Sequence, residues 1–199
     1  MDVAEVVAAA LLWHPSVRDV RLVGSRAQGR AHELSDWDFA VASDDFAILE
    51  RDLPALLEPL GAVAEQWDRF ASHACYMLVL PGPVKIDLLF LDVARDRSSA
   101  WDVTPETLAA IDMHFWDWIL WLEQKRRAGR DEVLSESLGH MHELLLGPMG
   151  VEARPFSVAD AVRSYTDARN GLERRFGVRV PRQLEREIRP ALRGESCAG

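Results

Sequence analysis

Three aspartates stand where carboxylates are costly. Asp36 and Asp38 lie one residue apart in the apolar run "DWDFAV", and Asp87 lies in a second run, "VKIDLLF". Burying a carboxylate without a partner is strongly unfavourable. In extended chain, residues two apart point to one side. Asp36 and Asp38 therefore project together, while Trp37, Phe39 and Val41 face a core. Two carboxylates at that spacing repel unless a cation sits between them. Mg²⁺ suits the position, because it takes hard oxygen ligands and keeps waters for a substrate phosphate. The same alternation puts Asp87 on one face with Lys85, Leu89 and Leu91. A salt bridge to Lys85 is the plain reading of Asp87. If the two strands are neighbours, however, all three carboxylates converge, and such a set suits two Mg²⁺ ions clamping the attacking and leaving oxygens of a phosphoryl displacement.

Gly24-Ser25 closes an apolar run ahead of the aspartates. A turn opening a helix exposes backbone N–H groups, and an early glycine lets a phosphate approach them. Ser25 adds a hydroxyl donor. Arg26 and Lys85 are each either a phosphate contact, which would make them nucleotide-binding residues, or an ordinary surface cation. Taken alone, a Gly-Ser turn is common; the downstream aspartates give it meaning.

The elements that must position these residues follow from periodicity. Residues 2–12 read as a helix ended by His14-Pro15. "VRDVRLV", 17–23, alternates as a strand with one imperfect step. "RAQGRAHEL" reads as a short helix interrupted by glycine. Residues 36–43 form the second strand, and a helix spans about 45–57, with Pro54 its weak point. Residues 73–80 and 84–91 read as two strands joined by the tight turn "PGP". A polar stretch near 92–104 marks a boundary. Beyond it the pattern turns helical. The first helix has Thr104 as cap, Pro105 as first residue, and a stripe of Leu108, Ile111, Phe115, Trp118, Ile119 and Leu122. Two more helices follow, and a fourth begins at Pro181. The expected fold is α+β: a catalytic domain over 1–97 with a small sheet, then a helical bundle over 104–194.

A Gly-Ser turn, ten residues, Asp-x-Asp in a strand, and a later strand aspartate together resemble the polymerase-β-type nucleotidyltransferases. Domain order and length resemble the small bacterial antibiotic enzymes of that superfamily, which act on aminoglycosides and lincosamides. The motif covers 17–91; over 105–194 the resemblance rests on helical composition. It implies that Asp36, Asp38 and Asp87 hold two Mg²⁺ ions and that Gly24 and Ser25 seat the β and γ phosphates of ATP or another nucleoside triphosphate. It implies attack of a small-molecule hydroxyl on the α-phosphate, with release of pyrophosphate. Relatives place a general base either at the third acid or at a helical-domain glutamate, here Glu143. They often dimerise, and the aromatic helix over 111–122 is a candidate face for a homodimer.

In the helical half, His114, Asp117, Trp121 and Lys125 share one helix stripe. They either line an acceptor site, with Trp121 stacking on the ligand, or form a solvated face. Trp116 and Trp118 read as core or interface. His140, His142 and Glu143 lack the i, i+4 histidine pair of a helical zinc site. Arg163, Arg169, Arg174 and Arg175 read as a solvated basic face. Arg130 and His140 lie too far apart for the Arg–His spacing of RNA-cutting bundles, so no nuclease is expected.

Composition bounds the partners. The chain has 199 residues, 48% apolar and 28% charged, with net charge −9, a globular balance. The acidity argues against nucleic acid as main partner and is compatible with a polycationic acceptor. Nucleic-acid polymerisation is disfavoured further, since no basic, aromatic-studded groove is visible. No apolar run approaches the roughly 18 residues that span a bilayer, and no leader is evident. Cys75 and Cys197 are far apart, which argues against a disulfide and for a reducing cytoplasm. Transfer of AMP to a protein, as antitoxin-type nucleotidyltransferases do, and a non-catalytic nucleotide-binding module are the alternatives.

Overall fold

The alternation in "VRDVRLV" and "DWDFAVAS" becomes an antiparallel pair in the computed structural model of the chain, which describes residues 2–193. β1 (Val17–Val23) pairs with β2 (Trp37–Ser43), and the imperfect step is a register shift between Val17 and Asp19. β4 (His73–Leu80) and β5 (Val84–Ala94) form the expected hairpin. Gly82 at φ +101 makes its turn, a conformation that L side chains rarely adopt. β3 (Ala64–Trp67) escapes sequence reading; its four residues, "AEQW", carry no alternation. It borders β4, giving the order β1-β2-β5-β4-β3. Among the described strands only β2 and β5 run parallel. Cys197 lies outside the described residues.

The chain divides after Arg97 into two units. In the first, α1 (Val3–Leu12) and α3 (Phe46–Leu57) cover one face of the sheet. Asp2 caps α1 by accepting from the Ala4 N–H, and Asp45 caps α3 by accepting from the Ile48 N–H. Leu49, Leu53 and Leu57, four residues apart, are fully buried, as are Ile86 and Leu88 of β5. Each such burial contributes about 1.5–3 kcal/mol. Pro54 points to the exposed side of α3 and does not end the helix.

The helix expected over "RAQGRAHEL" does not form. α2 is a single turn, Gly24–Ala27. Gly29, at φ +65, closes it: the Gly29 N–H donates to the Arg26 carbonyl and the Arg30 N–H to the Ser25 carbonyl. This double closure around a left-handed glycine stops a helix, and residues 28–36 run as a loop.

The second unit is helical: α4 (Leu108–Arg127), α5 (Asp131–Met141), a π-helical turn (His142–Leu146), α6 (Val158–Phe176) and α7 (Gln183–Leu192). α4 starts one turn later than its proline suggests. Thr104 and Thr107 exchange backbone-to-hydroxyl hydrogen bonds across residues 104–107 and hold them in a turn. α4 is buried almost all round, including Ile111, Phe115, Trp116, Ile119 and Leu122. Phe115 stacks on Tyr165 at 3.7 Å. These residues are core, while Trp118 and Trp121 of the same helix are half-buried.

The basic face expected on α6 is also corrected at Arg169. Its side chain is 2% exposed and donates to Asp112 on α4 (3.1 Å) and Glu185 on α7 (2.6 Å). Tyr165 donates to the same Asp112 oxygen. A buried guanidinium persists only where acids surround it, and here three helices supply the network. Arg174 and Arg175 are exposed as expected.

Candidate active site

The parallel pairing of β2 with β5 brings the acids together. Asp38 is the register partner of Asp87, with Trp37 opposite Ile86 and Phe39 opposite Leu88. Register partners share a face, so the alternation that buries Ile86, Leu88 and Phe39 turns both carboxylates to the other side. Asp36 sits just before β2 and is buried. One carboxylate oxygen from each of Asp36, Asp38 and Asp87 lies within 4.8 Å of the others. Among the described residues no other group of three acids, histidines or cysteines is so placed.

Gly24 closes on this cluster. Its φ is +69°, and a Cβ built on it would fall 2.1 Å from Asp38 Oδ2. The Gly-Ser turn thus approaches the carboxylate more closely than any side chain permits. The approach follows from register, since Val23, the residue before Gly24, pairs with Asp38. With only one helical turn behind it, the Gly24-Ser25 turn would act through its N–H groups and the Ser25 hydroxyl rather than through a macrodipole.

Arg26 turns inward. Its Nε donates to the carbonyls of Ser35 (3.0 Å) and Asp36 (3.1 Å), and Nη2 donates to Ser35 (2.7 Å). The guanidinium lies 4.0 Å over the Trp37 ring. Burial draws the Arg26 pKa below its ordinary value, against the opposing pull of Asp36. The side chain therefore ties the loop end to the helical turn. Sequence reasoning missed this role, although an arginine nine residues before a Ser-Asp-Trp step was a hint.

Lys85 is buried and its Nζ lies 2.5 Å from Asp87 Oδ1. Both readings of Asp87 are thus realised at once: it bonds Lys85 and belongs to the acid cluster. Met77 stands opposite Asp87 and Val79 opposite Lys85 in β4, and both are buried. An ammonium in such surroundings must keep an anion close.

Three carboxylates within 4.8 Å of one another offer an all-oxygen donor set of high negative charge. That set fits Mg²⁺, which takes a few carboxylates and completes its shell with water and phosphate oxygens.

The other residues singled out from sequence belong to the second unit. His114 and Asp117 are buried, not on a solvated face. The His114 ring packs edge-on against Trp101 (6.2 Å) and Trp118 (5.7 Å). Trp121 is half-buried, with Lys125 Nζ 4.5 Å over its ring. Trp116 is core. Glu143 is exposed on the π-helical turn, and His142 Nε2 lies 2.9 Å from the Val151 carbonyl oxygen.

Residues 5–67 match the family described as a nucleotidyltransferase domain, a stretch holding Gly24, Ser25, Asp36 and Asp38 and ending before Asp87. The match lies wholly within the first unit. No curated protein matches the chain. One similar solved structure is the polymerase core of TRAMP, an RNA surveillance complex, at 16% identity and TM-score 0.36, covering 95% of this chain and 52% of that one. Another is an aminoglycoside 6-adenyltransferase from Bacillus subtilis, at 10% identity and TM-score 0.36, covering 97% and 96%. The chain spans about half the length of the TRAMP polymerase core.

Proposed function

We propose that the chain transfers a nucleoside monophosphate, AMP from ATP in the first instance, to a hydroxyl of a small-molecule acceptor. The observation that carries this reading is the register match of Asp38 with Asp87, which sets three carboxylates beside the Gly24-Ser25 turn. Asp36, Asp38 and Asp87 would hold Mg²⁺, which supplies charge neutralisation for the phosphates and the developing pyrophosphate. Gly24 and Ser25 seat the terminal phosphates through backbone N–H groups and a hydroxyl. The acceptor oxygen attacks the α-phosphorus, the bond to pyrophosphate breaks, and the hydroxyl proton passes to a carboxylate. Asp87 is one candidate base and Glu143 the alternative. Arg26 fixes where Asp36 stands, which matters because such transfers depend on positioning and on preset charge.

Acceptor recognition is assigned to the second unit, with His114, Asp117, Trp121 and Glu143 as the side chains to test. An amine-rich acceptor such as an aminoglycoside agrees with the acidic net charge. Among the described residues no helix is long and apolar enough to cross a membrane; a cytoplasmic setting is part of the proposal.

The test is to incubate the protein with each nucleoside triphosphate, Mg²⁺ and a panel of hydroxylated acceptors, and to measure pyrophosphate. Acceptor-dependent release that is lost in Asp38→Asn is expected. No release with any pair, together with ATP binding unchanged in Asp38→Asn, would overturn the reading. Adenylate found instead on lysate proteins would move the acceptor class to protein.

A further inference from the structure

The acid cluster carries a cation of its own. Lys85 Nζ lies 2.5 Å from Asp87 Oδ1, and the lysine side chain is 3% exposed. The contact is built into the strand: Lys85 and Asp87 are two apart on β5 and share a face, with Val79 and Met77 opposite them on β4. Both β4 partners are apolar and buried. The ammonium is thus held by its position in the sheet against the acid that a metal would use.

We infer that Lys85 is a resident competitor for the metal at Asp87, and that it makes divalent-metal loading of this site depend on bound nucleotide. This rests on the proposed reading of the triad as metal ligands. The charges show why. Three carboxylates bring −3 and Lys85 brings +1, so a first divalent cation leaves the cluster neutral and further positive charge meets repulsion. A triphosphate brings about −4 at neutral pH. With it bound, divalent ions and ammonium are accommodated together, because opposite charges a few ångströms apart attract strongly outside bulk water. In the free protein the lysine weakens the metal's hold; in the nucleotide complex its cost is offset. The consequence is a site that holds little metal until a substrate arrives, with Lys85 as the positioning residue responsible.

The test titrates the full chain with Mn²⁺ and follows free Mn²⁺ by electron paramagnetic resonance, without nucleotide and with saturating α,β-methylene-ATP. Lys85→Met keeps the length of the stem and removes the charge. It should bind Mn²⁺ at least about tenfold more tightly than wild type without nucleotide. With the analogue present, the two should agree within roughly threefold. Lys85→Arg keeps the charge and should behave as wild type in both conditions. Equal or weaker Mn²⁺ binding by Lys85→Met without nucleotide, in protein shown by circular dichroism to be folded, overturns the inference. Lys85→Gln, neutral and still a donor, replaces Lys85→Met if that variant does not fold, with tightening in the same direction required. Asp38→Asn separates the two levels: Mn²⁺ binding unchanged in that variant sinks the metal reading of the triad itself. Binding lost in Asp38→Asn but unaltered in Lys85→Met sinks only the role of Lys85.

Discussion

Gly24 and Asp38 are packed so closely that a single added carbon would collide with the carboxylate, 2.1 Å from Oδ2. The contact ties the Gly24-Ser25 turn to the strand that carries Asp38, and it makes Gly24→Ala a sharp test. The variant would adopt φ +69° at a cost of about 1–2 kcal/mol, and the carboxylate would have to shift. A displacement of that order is worth about a hundredfold in rate where catalysis depends on positioning. Gly24→Ala is expected to fold, to lose Mn²⁺ affinity, and to lose about a hundredfold in pyrophosphate release. Gly29→Ala shares the positive φ but meets no atom within 4 Å. It should lose stability only, as seen by comparing thermal midpoints and rates for the pair.

Arg26 is expected to act through the loop rather than on phosphate. Its donations to the Ser35 and Asp36 carbonyls, plus the Trp37 face, amount to about 2–4 kcal/mol of local ordering. Arg26→Lys keeps the charge but lacks the fork that reaches two carbonyls. Were Arg26 a phosphate ligand, lysine would substitute in part and the Michaelis constant for nucleotide would carry the loss. As a clamp, the lysine variant should resemble Arg26→Ala. Both should show faster amide exchange over 28–36 and a raised metal requirement, at a nucleotide Michaelis constant changed by less than about threefold.

The triad was legible because Asp36 and Asp38 are two residues apart in one extended run, Asp36 just before β2 and Asp38 within it, and that alternation fixes their direction without knowledge of the fold. Asp87 needed one further fact, that β5 lies beside β2, which periodicity cannot supply and a parallel pairing does. The helix drawn over residues 26–34 failed for a local reason: Gly29 takes the left-handed conformation and closes the turn that Gly24 opens. β3 failed because four mixed residues carry no period. Arg169 failed for a non-local one. Its acids are 57 residues before it and 16 after it, so an arginine in a basic helix run looked solvated. The burial of His114 and Asp117 was hidden likewise, since α4 is buried almost all round and its polar stripe says nothing of exposure.

Arg169→Met tests the buried network as structure. Removing one partner leaves the Asp112 and Glu185 carboxylates facing each other without their shared cation. Such a loss costs about 3–5 kcal/mol, enough to lower the thermal midpoint by several degrees. The double variant Arg169→Met with Asp112→Leu should recover part of that loss, because the stranded carboxylate goes with its partner. A single variant as stable as wild type would show that the network contributes nothing.

Acid should unfold the helical unit through Glu185 and Glu173. Burial alone would raise the Glu185 carboxyl, but bonds from Arg169 and Arg189 outweigh it and hold it below its ordinary value. Glu173 is held down likewise by Arg182 and the Val180 N–H. A carboxyl with a depressed folded pKa binds protons more weakly when folded. Its stabilisation is fully present above the unfolded value near 4.5 and is lost as pH falls through the lower folded value. Asp112 has the opposite sign: burial raises its pKa above the ordinary value despite Tyr165 and Arg169. Its protonated form therefore favours the fold in acid and partly offsets the glutamates. Stability should be nearly flat from pH 7 to pH 5 and fall below about pH 4.5. Glu185→Gln should be less stable than wild type at pH 7, with the gap closing in acid. Urea midpoints at pH 7, 5 and 3.5 measure this; a gap that persists unchanged at pH 3.5 would mean that Glu185 contributes by packing and not by charge.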